Sequence, residues 1–132
     1  MALKSSMKIL LVDESASMRQ SIKKMLTDLG FKNVSEASDG DKAWTTMLDS
    51  ATEKPVEFII YEWNVPKTNG IDFLKKVRGH ETFKKTAFLM MTADSDQQKI
   101  VQAVKEGVNN VIVKPFSAQT LIEKIDKIFN KK

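Results

Sequence analysis

Four uninterrupted apolar runs of strand length, at residues 9–12, 58–61, 87–91 and 111–113, constrain this chain more than any other feature; a weaker fifth lies at 34–37. Continuous rather than alternating, they predict strands covered on both faces, the mark of a parallel sheet. Between them apolar residues recur at helical spacing. Met18, Ile22, Met25, Leu26 and Leu29 form one stripe, stopped by Gly30, and Trp44, Met47 and Leu48 form a second after the capping pair Ser38 and Asp39. Ile71, Leu74 and Val77 follow Asn69 and Gly70; Ile100, Val101 and Val104 precede Gly107; Leu121, Ile122, Ile125, Ile128 and Phe129 follow Ser117. Five β–α units in series predict an α/β fold: a doubly wound, five-stranded parallel sheet of order 2-1-3-4-5 with five helices. The 132 residues suit a single domain spanning 1–132.

Composition removes whole classes of chemistry. The absence of cysteine excludes disulfides, zinc ribbons and thiol nucleophiles, and one histidine, His80, excludes multi-histidine metal sites. His80 is expected to be a solvated residue near the end of the third helix. No apolar run approaches the roughly 18 residues of a membrane span, so no membrane insertion is expected. The net charge of +4 could suggest nucleic acid, but nineteen lysines are spread along the chain and only Arg19 and Arg78 are arginines. A solvated lysine-rich surface accounts for that pattern, and no nucleic-acid partner is expected. The expected setting is cytoplasmic and the expected state monomeric.

In doubly wound folds the chemistry sits beyond the carboxyl ends of the strands. Those positions hold Asp13 and Glu14 after the first run, Glu62, Trp63 and Asn64 after the third, Thr92 after the fourth and Lys114 after the fifth. The fold thus predicts three carboxylates, a hydroxyl and an ammonium on one patch. Two carboxylates about 4 Å apart repel by roughly 4 kcal/mol at an effective dielectric of 20. Lys114 offsets one of three charges, and a divalent ion matches the remaining two; an all-oxygen donor set suits Mg²⁺. Taken singly, each acid reads equally well as a helix cap. Phosphate-cradling loops are missing: the loop after the first run, Asp13 to Ser17, has no glycine and two negative charges.

The same residues carry a resemblance. Leu11-Val12-Asp13-Glu14, Glu62-Trp63-Asn64-Val65-Pro66 with Asn69-Gly70, Met91-Thr92-Ala93 and Val113-Lys114-Pro115-Phe116 occur at family spacing. So do Ser17-Met18-Arg19, Leu29-Gly30-Phe31 and Lys127-Ile128-Phe129. Over nearly its whole length the chain resembles receiver domains of bacterial two-component signalling, most closely the CheY-like chemotaxis response regulators. The resemblance implies Mg²⁺ held by Asp13, Glu14, the residue at 62 and the backbone carbonyl of Asn64. It implies a phosphoryl-accepting residue at 62, Thr92 and Lys114 acting on the phosphoryl group, and a cis bond from Lys114 to Pro115. It implies a binding module rather than an enzyme, beyond self-phosphorylation and dephosphorylation. The implied partners are a chemotaxis-type histidine kinase and the flagellar motor switch protein.

Two positions depart from the family pattern. Position 62 is glutamate where ordinary members have aspartate. The extra methylene displaces the carboxylate by roughly 1.3–1.5 Å, and in-line transfer loses about a hundredfold for errors near 1 Å. Glu62 is therefore expected to form an acyl phosphate poorly. It is also expected to mimic the phosphorylated state in part, because it brings −1 toward Thr92 and Lys114 where a phosphoryl group brings about −2. A resting ion pair between Glu62 and Lys114, giving a phosphorylation-independent scaffold, is the alternative. Position 111 is valine where receivers usually carry an aromatic ring. No further module is expected after Phe129, and output is expected through protein contact, on a face presenting Lys99, Ile100, Val104, Val111 and Lys124.

Overall fold

The computed structural model describes residues 6–93 and 96–129. Strands and helices alternate: β1 (Lys8–Val12), α1 (Ala16–Asp28), β2 (Asn33–Ala37), α2 (Gly40–Ser50), β3 (Phe58–Glu62), α3 (Gly70–Arg78), β4 (Ala87–Thr92), α4 (Gln97–Lys105), β5 (Asn110–Val113) and α5 (Ala118–Phe129). The sheet is parallel throughout, in the order β2-β1-β3-β4-β5 that the periodicity predicts. Register places Val12 opposite Tyr61, Glu62 opposite Met91 and Thr92 opposite Val113. The carboxyl ends of β1, β3, β4 and β5 therefore finish close together, and whatever follows them shares one edge.

The continuous runs divide strictly by parity. Leu10, Val12, Ile59, Tyr61, Phe88 and Met90 pack toward α2, α3 and α4, whereas Ile9, Leu11, Phe58, Ile60, Leu89 and Met91 pack toward α1 and α5. Successive strand side chains point to opposite faces, so a run buried on both sides has to be apolar at every position. β3 and β4 are buried along their entire length, including their polar last residues.

Helix starts are capped by side chains. Ser15 accepts from the Met18 N–H, Asp39 from Lys42, Asn69 from Asp72, and Ser117 from Thr120. Each such cap contributes about 1 kcal/mol. Gly30 closes α1 at φ 101°, a left-handed conformation open to glycine.

The structure corrects three expectations. Leu48 is 44% exposed on α2, where the expected Met47 makes the contact together with Ala43. On α4 only Ala103 is fully buried, and Val101 and Val104 are 50% and 61% exposed. A small alanine seats that helix against the core, which turns its branched residues outward. His80 is not simply solvated: it stacks on Phe83 at 4.5 Å, lies edge-on to Trp44 at 5.7 Å, and accepts the Thr82 N–H at Nδ1. Trp44 also meets Phe73 and Phe83 edge-on, with the Lys76 ammonium 4.5 Å above its ring.

Arg78 ends α3 and fastens two distant loops. Its guanidinium donates to the carbonyls of Thr86 (2.8 Å), Lys84 and Gly107 and to Oδ1 of Asn109, which in turn accepts the Phe88 N–H. Burial lowers its pKa from the ordinary arginine value.

Candidate functional site

Asp13 leaves β1 with its side chain almost fully buried. Its Oδ1 accepts the Ser15 N–H at 2.9 Å, and its carbonyl is gripped by Arg19 Nη1 at 2.7 Å. Arg19 also pairs with Glu36 on β2, so one guanidinium braces the loop against its neighbouring strand. Sequence reading placed Arg19 in a family segment but gave it no role; its spacing on the first turn of α1 was the available signal.

Glu62 closes β3, 6% exposed, and Thr92 closes β4, 2% exposed. Lys114 follows β5, its N–H bonded to the Thr92 carbonyl at 2.8 Å and its bond to Pro115 cis. The Lys114 ammonium stands between two carboxylates, 2.7 Å from Asp13 Oδ2 and 2.5 Å from Glu62 Oε1. Glu62 Oε2 accepts the Asn64 N–H at 3.3 Å. Burial works against the charged lysine, but its hydrogen bonds and charge contacts with Asp13 and Glu62 outweigh that and raise its pKa above the ordinary value. The triad carries a net charge of −1.

Two of the three expected carboxylates meet, then, and the third does not. Glu14 is exposed, and among the described residues no three acidic or imidazole groups are gathered closely enough to grip a metal as they stand. The donors are hard oxygens of the kind Mg²⁺ prefers, but the two buried carboxylates spend themselves on Lys114 and on backbone N–H groups. A cation bound here would draw on Glu14 and the exposed Asn64 loop together with Asp13.

Trp63, beside the triad, is partly buried against the α2/α3 core and anchored by its N–H to the Met91 carbonyl. The Lys99 ammonium lies 5.4 Å above its ring. Lys99 thus reaches from α4 toward the acidic pocket and stands apart from the other residues expected on the output face. Ile100, Val104, Val111 and Lys124 do come together, lining with Val108 a groove of about 290 Å³ between α4, β5 and α5. Val111 forms part of its floor, partly buried. No described helix is long and apolar enough to cross a membrane.

Residues 9–126 match the family model described as the response regulator receiver domain. The chain is 46% identical to the chemotaxis protein CheY of Pseudomonas aeruginosa over 125 residues, 95% of this chain and 98% of that one. It is 44% identical to CheY-3 of Vibrio cholerae over 129 residues, 98% and 96% of the two chains. Among solved structures, CheY4 of Vibrio cholerae superposes with a TM-score of 0.82 at 32% identity, covering 94% of this chain and 99% of that one. With the sheet order, the acidic edge and these relatives in agreement, the chain belongs to the response regulator receiver family, among its CheY-like chemotaxis members.

Proposed function

We propose that this chain is a cytoplasmic response regulator of chemotaxis signalling whose state is set by Glu62 in place of a phosphorylated aspartate. The carrying observation is the direct Glu62–Lys114 pair, in which the glutamate already occupies the ammonium that a phosphoryl oxygen would otherwise claim. The family relationship supplies the rest of the reading: a chemotaxis-type histidine kinase upstream and the flagellar motor switch protein downstream. Output runs through the α4–β5–α5 groove, whose exposed valines and Lys124 suit an amphipathic acidic segment.

Mg²⁺ would be held by Asp13, Glu14 and the Asn64 carbonyl, with Glu62 contributing if its pair with Lys114 loosens. The ion supplies charge neutralisation to the pocket. The chain's own residues do the positioning: Arg19 fixes the Asp13 backbone, Lys114 orients both buried carboxylates, and Thr92 ends β4 at the pocket wall. Glu62 is poorly suited to accept a phosphoryl group, because its carboxylate is already drawn onto Lys114 and lies one methylene beyond an aspartate's reach.

One experiment tests this reading. Intact mass after treatment with acetyl phosphate and Mg²⁺ should show no adduct on the native chain and a phosphoryl adduct on E62D. Stable phosphorylation of the native chain would overturn it. Affinity for a motor-switch peptide, compared between the native chain and E62A, then separates a partial mimic from a fixed scaffold. Weaker binding by E62A supports the mimic. Equal binding supports the scaffold.

A further inference from the structure

At the opposite end of the sheet from the acidic pocket, a polar cavity of about 370 Å³ opens beneath the start of β1 and β2. Its wall includes Lys8, Lys32 and Lys54 together with Asn33 and Ser35. Two of the ammonium groups are aimed by neutral carbonyls rather than by acids: Lys8 Nζ donates to the Lys54 carbonyl at 3.1 Å, and Lys54 Nζ to the Ser6 carbonyl at 3.0 Å. Asn33 Nδ2 donates to the same Ser6 carbonyl at 2.8 Å, which stiffens the rim. Among the described residues none of the three lysines pairs with a carboxylate. A neighbouring acid, Glu57, spends Oε1 on the Lys8 backbone N–H at 3.1 Å.

The Lys8 and Lys54 ammonium groups, held by carbonyls and not by acids, repel each other, and the cost falls when an anion enters. The lysines that line the cavity outnumber the Glu57 carboxylate beside Lys8, so positive charge is in excess there. Such an excess suits a phosphate monoester or inorganic phosphate, which carries about −1.5 to −2 at neutral pH. A volume of this order holds a small ligand, and the carboxamide of Asn33 and the hydroxyl of Ser35 add donors for phosphate oxygens. We propose that this cavity is a second anion site, distinct from the acidic pocket, that binds a phosphate dianion either free or as the terminal group of a small phosphate ester.

The site lies under the edge strand β2, so a bound anion would cross-link β1, β2 and the α2–β3 connection. The test is a titration of the intact ¹⁵N-labelled protein with inorganic phosphate and, in parallel, glycerol 3-phosphate, at constant ionic strength with sodium chloride as the control. Amide shifts are expected at Lys8, Asn33, Val34 and Ser35, reproducibly smaller with chloride. The double variant K32Q/K54Q should weaken binding at least tenfold while leaving the unfolding midpoint close to that of the native protein. E57Q keeps an acceptor for the Lys8 N–H, removes the opposing charge and should tighten binding severalfold, which a merely structural role for Glu57 would not do. Tighter binding of glycerol 3-phosphate than of phosphate identifies an ester as the ligand form; the reverse identifies the free ion. Shifts confined to Asp13, Glu62 and Lys114, equal shifts with chloride, or unchanged affinity in K32Q/K54Q would each overturn the proposal.

Discussion

At the scale of single residues, the pocket is a contest over one ammonium. Lys114 serves two buried carboxylates, so the consequences of removing a partner are unequal. In E62Q, Lys114 keeps Asp13 and the amide still accepts, so the loss is about 1 kcal/mol. In K114M both carboxylates lose their counter-charge inside the protein, which costs about 3 kcal/mol or more. Urea unfolding of the two variants should rank K114M well below E62Q; equal losses would mean that the acids do not depend on the lysine. The sequence made this triad legible because each member sits at a strand end or directly after one, where the fold leaves little choice of neighbour. The side-chain direction of Glu14 was not legible in the same way. The residue after Asp13 is already in the turn toward α1, and strand periodicity says nothing about which way it faces.

At the scale of elements, strands and caps were readable and surface-facing helix stripes were not. A strand buried on both sides announces itself by composition, whereas a helix with three branched apolar residues can still rest on one alanine, as α4 does on Ala103. The sequence also could not disclose Arg78, whose partners lie in two loops brought beside α3 only by the crossover connections. That residue explains how the α3–β4 and α4–β5 connections are held in mutual register. Replacing it with lysine keeps the charge and loses the planar fork. R78K is therefore expected to lose about 2–3 kcal/mol in chemical denaturation, with amide exchange quickening at Phe88 and Gly107 before it does in β1. Uniform quickening across the sheet would show that Arg78 does not act locally.

For the molecule as a whole, the alkaline limb of stability follows from two groups. Lys114 has a raised pKa, and so does the Tyr61 hydroxyl, through burial first and then the charges of Asp39 and Asp41, with its proton given to the Thr68 carbonyl at 2.6 Å. In both cases the folded state holds a proton more tightly than the unfolded chain. Their stabilisation is complete below the ordinary lysine and tyrosine values and is lost as pH rises through the folded ones. Thermal unfolding from pH 8 upward should fall more steeply for the native protein than for Y61F or K114M, each of which removes one contribution. Parallel curves for all three would contradict the assignment. The fold itself was legible at this scale because five strand–helix units admit few arrangements once crossovers must be right-handed.

The indole rings of Trp44 and Trp63 occupy chemically different seats, one against an imidazole and the other at the edge of the acidic pocket. Intrinsic emission from this protein is consequently the sum of two unrelated signals. A W44F variant isolates light from Trp63 alone, turning the native chromophore into a private optical gauge of the pocket beside Glu62.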